Sequence, residues 1–311
     1  MKTYFESVLT EYDFPKESRE VLSDALNKLS QYGEFLEIVE NYYGKENNTD
    51  AKAVIEKYKV IKEILTPICE KENLHYFIAT AVMQICVSKE TKAVCKEWNW
   101  TDDMFHRAML DVRCKLVECY DNYGVWGIYV ASWIGYIFAG IINSIGRLQF
   151  MYRDYEDDGE VVIAGKTLSR GVKYIDIHIP ASDEPFDEKT RLESYEAAYR
   201  YFKELYGDEP CFFGCKSWLL FGHNHEILSP KSNIISFMNE FKLVKTEFYS
   251  DNRFDMWRIF GGIALTADFE DLPENSSLQR GYKKWLVNGN FPGEGKGYFV
   301  YDSVNKKIFN E

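Results

Sequence analysis

Hydrophobic spacing changes character once along this chain, at Gly146. Before it, apolar residues recur every three or four positions, the repeat of helices with one buried stripe. After it, segments with a repeat of two are interleaved with further helical stretches. One polypeptide must therefore form an all-helical N-terminal domain over residues 1–145 and a mixed α/β domain over 146–311, α+β when taken together. A length of 311 residues and an apolar content of 46% supply enough buried surface for both.

In the first half, the spacing predicts a helix from Glu17 to Tyr32 with Val21, Leu22, Ala25, Leu26 and Leu29 inward and Gly33 at its end. A second helix runs from Glu34 to Tyr43, stops at Gly44, and is followed by a polar loop to Asp50. Thr49 or Asp50 caps the next helix, which Pro67 kinks or ends, and a short apolar helix covers His75 to Val87. Thr101, followed by Asp102 and Asp103, is a strong start signal for a helix that Gly124 closes. Then comes Val125–Gly146, 22 residues without a charge and long enough to span a bilayer. Gly127, Ala131, Gly135 and Ala139 give it a face of small residues, which suits close helix packing in a membrane or at the centre of a soluble domain. Its flanks lack a Lys/Arg cluster, and a span would put the two halves on opposite sides of the membrane, so a buried helix is the expectation.

The second half reads strand, strand, strand, helix, strand, helix, strand, strand. The strands are Leu148–Tyr152, Val161–Ala164, Lys173–Pro180, the run Cys211–Phe221, and Leu243–Ser250 paired with Phe254–Phe260 through a turn at Asp251–Arg253. Asp187 caps one helix, which Gly207 ends, and Ser229-Pro230 starts another. A last helix covers Ser277–Val287, and the glycine-rich 288–297 leads as a mobile turn into a terminal strand or hairpin. A helix between strands implies a crossover, so part of the sheet is parallel, with antiparallel hairpins at its ends.

Within that sheet, Tyr174-Ile175-Asp176-Ile177-His178-Ile179-Pro180 stands out. Its isoleucines form one greasy face, Asp176 and His178 share the other, and Pro180 stops the ladder. The net charge of -12 argues against nucleic acid and anionic membrane as partners. Seven cysteines, an odd number without disulfide spacing, and an N-terminus with no apolar signal core suggest reduced thiols in a cytoplasm.

Five short motifs then fall in a recognisable order: Gly146-Arg147-Leu148-Gln149-Phe150, Ile177-His178-Ile179-Pro180, Cys215-Lys216-Ser217-Trp218-Leu219-Leu220, Ser232-Asn233-Ile234-Ile235-Ser236-Phe237, and Leu272-Pro273 with Leu278-Gln279-Arg280. Together, over roughly residues 20 to 300, they resemble a family of bacterial acyltransferases with a helical N-terminal domain and a GNAT-like C-terminal domain. The resemblance implies acyl-CoA or coenzyme A as co-substrate, a small-molecule acceptor, and docking of the thioester at the strand that ends in His178 and Ile179. It departs from the GNAT pattern in two places. The loop Ala181–Glu188 carries four acids and no glycine where a glycine-rich loop would bind pyrophosphate, so carboxylates there would repel it. The helix Lys231–Phe241 also lacks the tyrosine that many GNAT enzymes use to protonate the leaving thiolate.

On this background His178 is the candidate general base, with Asp176 about 7 Å along the strand as its carboxylate partner; the alternative is a histidine that only caps a strand end. Cys215 and Ser217 are alternative acyl acceptors, a reading set against a buried structural cysteine. Arg258 and Arg280 are the basic groups best suited to a phosphate or carboxylate, against structurally paired arginines. Asn233 is a candidate substrate donor or a turn residue, and Ile179 a backbone contact for the co-substrate. His223 and His225 with Cys211 and Cys215 lack standard zinc spacing, so no metal is expected. The acyl chain, the acceptor and the oligomeric state stay open.

Overall fold

The computed structural model describes residues 1–42, 50–207 and 211–311. It divides into one unit of Met1–Ser144 with Pro180–Asp183 and another of Ile145–Ile179 with Glu184–Glu311.

The first unit holds α1 (Lys2–Glu11), α2 (Lys16–Leu29), α3 (Gly33–Glu40), α4 (Ala51–Lys71), α5 (Tyr76–Val94), α6 (Asp102–Tyr123) and α7 (Ala131–Phe138). α6 starts and stops where its sequence signals lie: the Thr101 hydroxyl accepts from the Met104 N–H at 3.2 Å, and Gly124 takes a left-handed φ of 68°. Three boundaries differ from expectation. Gly33 is the first residue of α3 rather than the end of α2, and Pro67 lies inside α4, which continues to Lys71 with Leu65, Ile68 and Cys69 buried around it. α5 runs on to Val94, and every residue from Ala79 to Ser88 is buried. The expected stop at Gly44 and the polar loop 45–49 lie outside the described residues.

The continuous buried helical stretch is therefore Ala79–Ser88 of α5, and not Val125–Gly146. The uncharged run forms a helix only over Ala131–Phe138, because its glycines serve close contact rather than a helix face. A Cβ on Gly127 would stand 2.4 Å from the Phe77 carbonyl carbon, and Ile128 N–H donates to that carbonyl oxygen at 2.8 Å. Gly135 lies against the Tyr58 ring, and Gly140 breaks the helix with φ 70°. Polar side chains on α5 satisfy the irregular backbone: Thr80 donates to Ile128 O at 2.6 Å, and Gln84 to Ala131 O at 3.0 Å. Among the described residues no helix is long and apolar enough to cross a membrane.

β1 (Asn143–Ile145) spans the division between the units. The second unit then continues with β2 (Leu148–Asp154), β3 (Val161–Ile163), β4 (Lys166–Leu168), β5 (Lys173–His178), α8 (Glu188–Tyr206), β6 (Phe212–Ser217), α9 (Asn224–Ile227), α10 (Asn233–Met238), β7 (Lys242–Phe248), α11 (Trp257–Phe260), α12 (Ser277–Val287), β8 (Gly293–Asp302) and β9 (Lys307–Phe309). The main sheet is ordered β2-β5-β6-β8-β7, with β9 on the far end of β8. β5 and β6 are parallel, joined by α8, and the other neighbours are antiparallel. The fold of this region is mixed α/β. β3 and β4 form a separate hairpin whose turn residues, Ala164 and Gly165, have φ 52° and 73°.

Both faces of the middle strands are covered, while β7 at the edge is exposed. On one, the Tyr195 ring of α8 packs against Phe213 and Phe299 at 5.6 and 5.1 Å. On the other, Tyr174, Phe212, Tyr298 and Val300 bury against Val161, Ile163 and Leu168 of the hairpin and its strands. Gly214 is required on this second face, since a Cβ there would meet Tyr298 at 2.6 Å and Tyr174 at 2.8 Å.

Several expected elements are corrected here. The run 211–221 is a strand only to Ser217, followed by a 3-10 turn at Trp218–Leu220. α10 begins at Asn233, capped by Ser232, whose hydroxyl accepts from Ile235 N–H at 3.2 Å, and not at Pro230. Phe254–Phe260 is not a strand: Asp255 takes a left-handed φ of 63°, bonds Tyr249 and Arg258 through its carboxylate, and leads into α11. The segment Gly293–Gly297 is no mobile turn but strand, paired with both β6 and β7. Its glycines admit backbone that side chains would block, a Cβ on Gly295 standing 1.8 Å from Leu220 O.

Candidate active site

Alternation along β5 decides what faces what. Register pairs place Asp176 opposite Met151 and Gly214, and Gly214 opposite Tyr298, so these residues share one face with Tyr174 and His178. Cys215 and Ser217, one residue out of step with Gly214, belong to the α8 face. The structure thus brings Asp176 and His178 together and sets Cys215 and Ser217 on the opposite side of the sheet.

His178 Nε2 lies 3.8 Å from Asp176 Oδ2, closer than the spacing along the strand suggested, and Arg153 Nη1 lies 3.5 Å from the same oxygen. Asp176 is 8% exposed. Burial pushes its carboxyl above the ordinary 3.8, against the pull of His178, Arg153 and Lys296. Burial likewise pushes His178 below its ordinary 6.5, with Asp176 pulling the other way. A neutral imidazole beside an acid is an arrangement able to accept a proton near neutral pH.

The parallel strands that carry this pair stay together only briefly. β5 and β6 register at Ile175–Phe213 and Asp176–Gly214, whereas β5 extends to His178 and β6 to Ser217. Beyond Asp176, β5 runs on through His178 to the half-buried Ile179 with no further register to β6 among the described residues.

The other candidates are committed elsewhere. The Cys215 thiol is 2% exposed, and burial, then the Asp176 charge, raises its pKa well above the usual thiol value, the opposite of nucleophile activation. Ser217 Oγ accepts from Leu219 N–H at 3.2 Å to cap the following turn. Arg258 donates to Asp255 at 2.9 Å and lies 4.3 Å over the Trp257 ring; Arg280 donates to Glu274 O at 2.9 Å. Asn233 is an exposed first residue of α10. His223 pairs with Glu226 at 2.7 Å, and among the described residues no three His, Cys, Asp or Glu side chains converge as metal ligands. The acidic loop is also less repulsive than its composition suggests: Asp183 pairs with Arg113 at 3.1 Å, and Asp187 caps α8 by accepting from Thr190 N–H at 2.9 Å.

Arg153, Lys296 and Tyr298 are the neighbours that sequence reasoning missed. Arg153 lies just past the expected strand Leu148–Tyr152 and Lys296 within the expected glycine-rich turn; strand register places them beside Asp176. The Tyr298 phenol is fully buried, and its hydroxyl has no hydrogen-bond partner among the described residues. On the same sheet face, a groove of about 740 Å³ opens between the loop 155–162 and lysines of β6, β7 and β8.

A second buried network holds the start of α8. Arg191, 0% exposed, donates to Glu240 at 2.9 and 2.6 Å, to Ser236 at 2.9 Å and to Phe186 O at 3.1 Å, and Tyr195 donates to the other oxygen of Glu240 at 2.8 Å. Arg147 donates to Glu184 O at 3.1 Å. Arginines thus fix the carbonyls of the loop that leads into α8.

Residues 142–299 match the family model described as a GNAT-like C-terminal domain, and residues 4–140 match an N-acyltransferase N-terminal domain. No curated protein matches the chain. Among solved structures it is similar to an acyltransferase in complex with decanoyl-CoA and teicoplanin, at 19% identity and TM-score 0.61 over 71% of this chain and 66% of that one. It is also similar to a mutant acyltransferase in complex with octanoyl-CoA, at 20% identity and TM-score 0.61 over 71% of this chain and 65% of that one. The chain thus spans just under two thirds of these solved chains, and at such identities the likeness is one of fold.

Proposed function

From the premise that this chain belongs to the N-acyltransferase family with a GNAT-like C-terminal domain, we propose that it transfers an acyl group from a thioester, acyl-CoA, to an amine or hydroxyl acceptor. The observation that carries the reading is the end of the parallel β5–β6 register at Asp176, with His178 two residues further along β5. A thioester entering there meets a strand edge at Ile177–Ile179, whose backbone N–H groups would polarise its carbonyl. His178 takes the acceptor's proton as the nucleophile attacks the carbonyl carbon. Asp176, held by Arg153, orients the imidazole and stabilises it once protonated. The C–S bond then breaks, and the thiolate leaves as the thiol with a proton passed back from His178.

The proposal takes residues 1–145 as an all-helical N-terminal domain and 146–311 as the acyltransferase domain, a reading supported by the division after Ser144. Cys69, Cys86, Cys95, Cys114, Cys119 and Cys215 are free thiols, which fits a reducing compartment such as a bacterial cytoplasm. Arg258, Arg280 and Asn233 enter it only as outer contacts for the co-substrate, because their present partners lie within their own segments. A direct transfer fits better than a two-step one through Cys215, given that thiol's burial. One observation favours a second reading, a binding protein without catalysis: the loop before α8 has no glycine, and α10 has no tyrosine. Thermal shift with acyl-CoAs of several chain lengths, together with thiol release in the presence of amine mixtures, separates the two. Stabilisation with turnover supports the enzyme; stabilisation without turnover supports the binder, and no response to any thioester overturns both.

A further inference from the structure

The groove shares its sheet face with Asp176 and His178. Two residues beyond the Asp176–Gly214 pair, β5 carries His178 and β6 carries Lys216, and Lys216 lies opposite Lys296 of β8. Lys296 also acts electrostatically on Asp176. The groove therefore lies beside the site, linked to it through Lys296 and not lined by His178, and runs outward over β8 and β7.

Its lining is charged in both senses. Lys216 pairs with Glu294 at 2.6 Å, Lys245 with Glu247 at 2.6 Å, and Lys296 with Asp157. Lys242 donates to Val162 O at 2.9 Å. The paired lysines of β6 and β7 are 52% and 60% exposed, and ion pairs so screened by water are weak, so a ligand charge can replace one partner at little cost. A polyanion entering the groove would meet its row of carboxylates, and a polycation would meet four lysines. An uncharged apolar molecule would strip water from both sets without replacing it. A molecule carrying one charge of each sign satisfies the lining, with an ammonium toward Asp157 and a carboxylate toward Lys216 and Lys245.

We propose that the acyl acceptor is a zwitterion, an amine that also carries a carboxylate, as in an amino acid or short peptide, held in this groove. The assignment rests on the acyl-transfer reading. The ammonium loses one proton to water, and the amine attacks the thioester carbon. A C–N bond forms, the C–S bond breaks, and His178 relays the second proton to the departing thiolate, giving an amide and a free thiol.

Thiol release from acyl-CoA tests this, comparing amino acids and dipeptides with the amines obtained by removing their carboxyl group. The carboxylate-bearing member of each active pair is expected to show a KM about 10-fold lower at similar kcat. Lys216→Met combined with Lys245→Met should shrink that difference to about 2-fold, and Lys216→Arg should preserve it. Equal KM within every pair, or variants that weaken both members alike, overturns the acceptor assignment and leaves acyl transfer standing. No thiol release with any acceptor overturns the acyl-transfer reading and the assignment with it.

Discussion

Nε2 of His178 and Oδ2 of Asp176 stand 3.8 Å apart on one face of β5, with Arg153 3.5 Å from the same oxygen. The distance suits an electrostatic partner and is too long for a hydrogen bond. His178→Ala should lower kcat by about 10²- to 10⁴-fold while leaving the affinity for acyl-CoA nearly unchanged. Steady-state kinetics together with co-substrate binding check this, and a kcat within about 3-fold of the parent removes His178 from the mechanism.

The pH profile carries a sign. His178 acts as a base only when neutral, and burial holds its pKa below the ordinary 6.5. The His178 contribution to the pH profile should therefore be an acid limb whose midpoint lies under 6.5. Because the Asp176 anion raises the His178 pKa, Asp176→Asn should move that midpoint to still lower pH. A midpoint above 6.5 in the parent, or a shift upward in the variant, contradicts the assignment.

Cys215→Ala should leave kcat within about 2-fold and cost about 1 kcal/mol of stability, as expected for a buried thiol on the α8 face. Thiol-directed alkylation should likewise spare activity in the folded protein. A covalent acyl-cysteine seen by mass spectrometry in the parent and absent in the variant would restore the two-step route.

Arg191→Met should destabilise the fold by about 3–5 kcal/mol, since it strands the Glu240 carboxylate among buried groups. Adding Glu240→Leu should recover at least half of that loss. Chemical denaturation of the three proteins measures it, and additive losses in the double variant would show that the pair is not coupled.

Tyr298→Phe should be neutral or stabilising by up to about 1 kcal/mol, because the hydroxyl it removes is buried without a hydrogen bond. A clear fall in melting temperature would reveal a partner for that phenol, such as a trapped water.

Much of the second unit is legible because its signals are local. Asp187 and Gly207 bracket α8, Thr101 and Gly124 bracket α6, and the alternation Tyr174–His178 marks β5 without reference to anything distant. What escaped the sequence depends on residues far along the chain. The uncharged run 125–146 gives the same periodicity whether or not Phe77 and Tyr58 press on its glycines. Gly293–Gly297 looks like a turn until Leu220 and Glu247 are known to lie against it. The candidate site divides the same way. Asp176 and His178 were visible as neighbours on one strand, whereas Cys215 fell on the wrong face because a parallel partner's register leaves no trace in sequence. Arg153 and the lysine groove need the whole sheet to exist before they have a location.

The brief register between β5 and β6 makes the sheet two ribbons under one helix: β2 with β5, and β6 with β8 and β7. Backbone bonding across that seam is thin, and the rings gathered around Tyr195 do much of the joining. An extended, amide-bearing guest lodged along β5 beyond Asp176, as the proposed reaction has it, would add rungs of its own. Such a guest acts as mortar, so occupancy should slow amide exchange on both ribbons at once, well beyond the residues it touches.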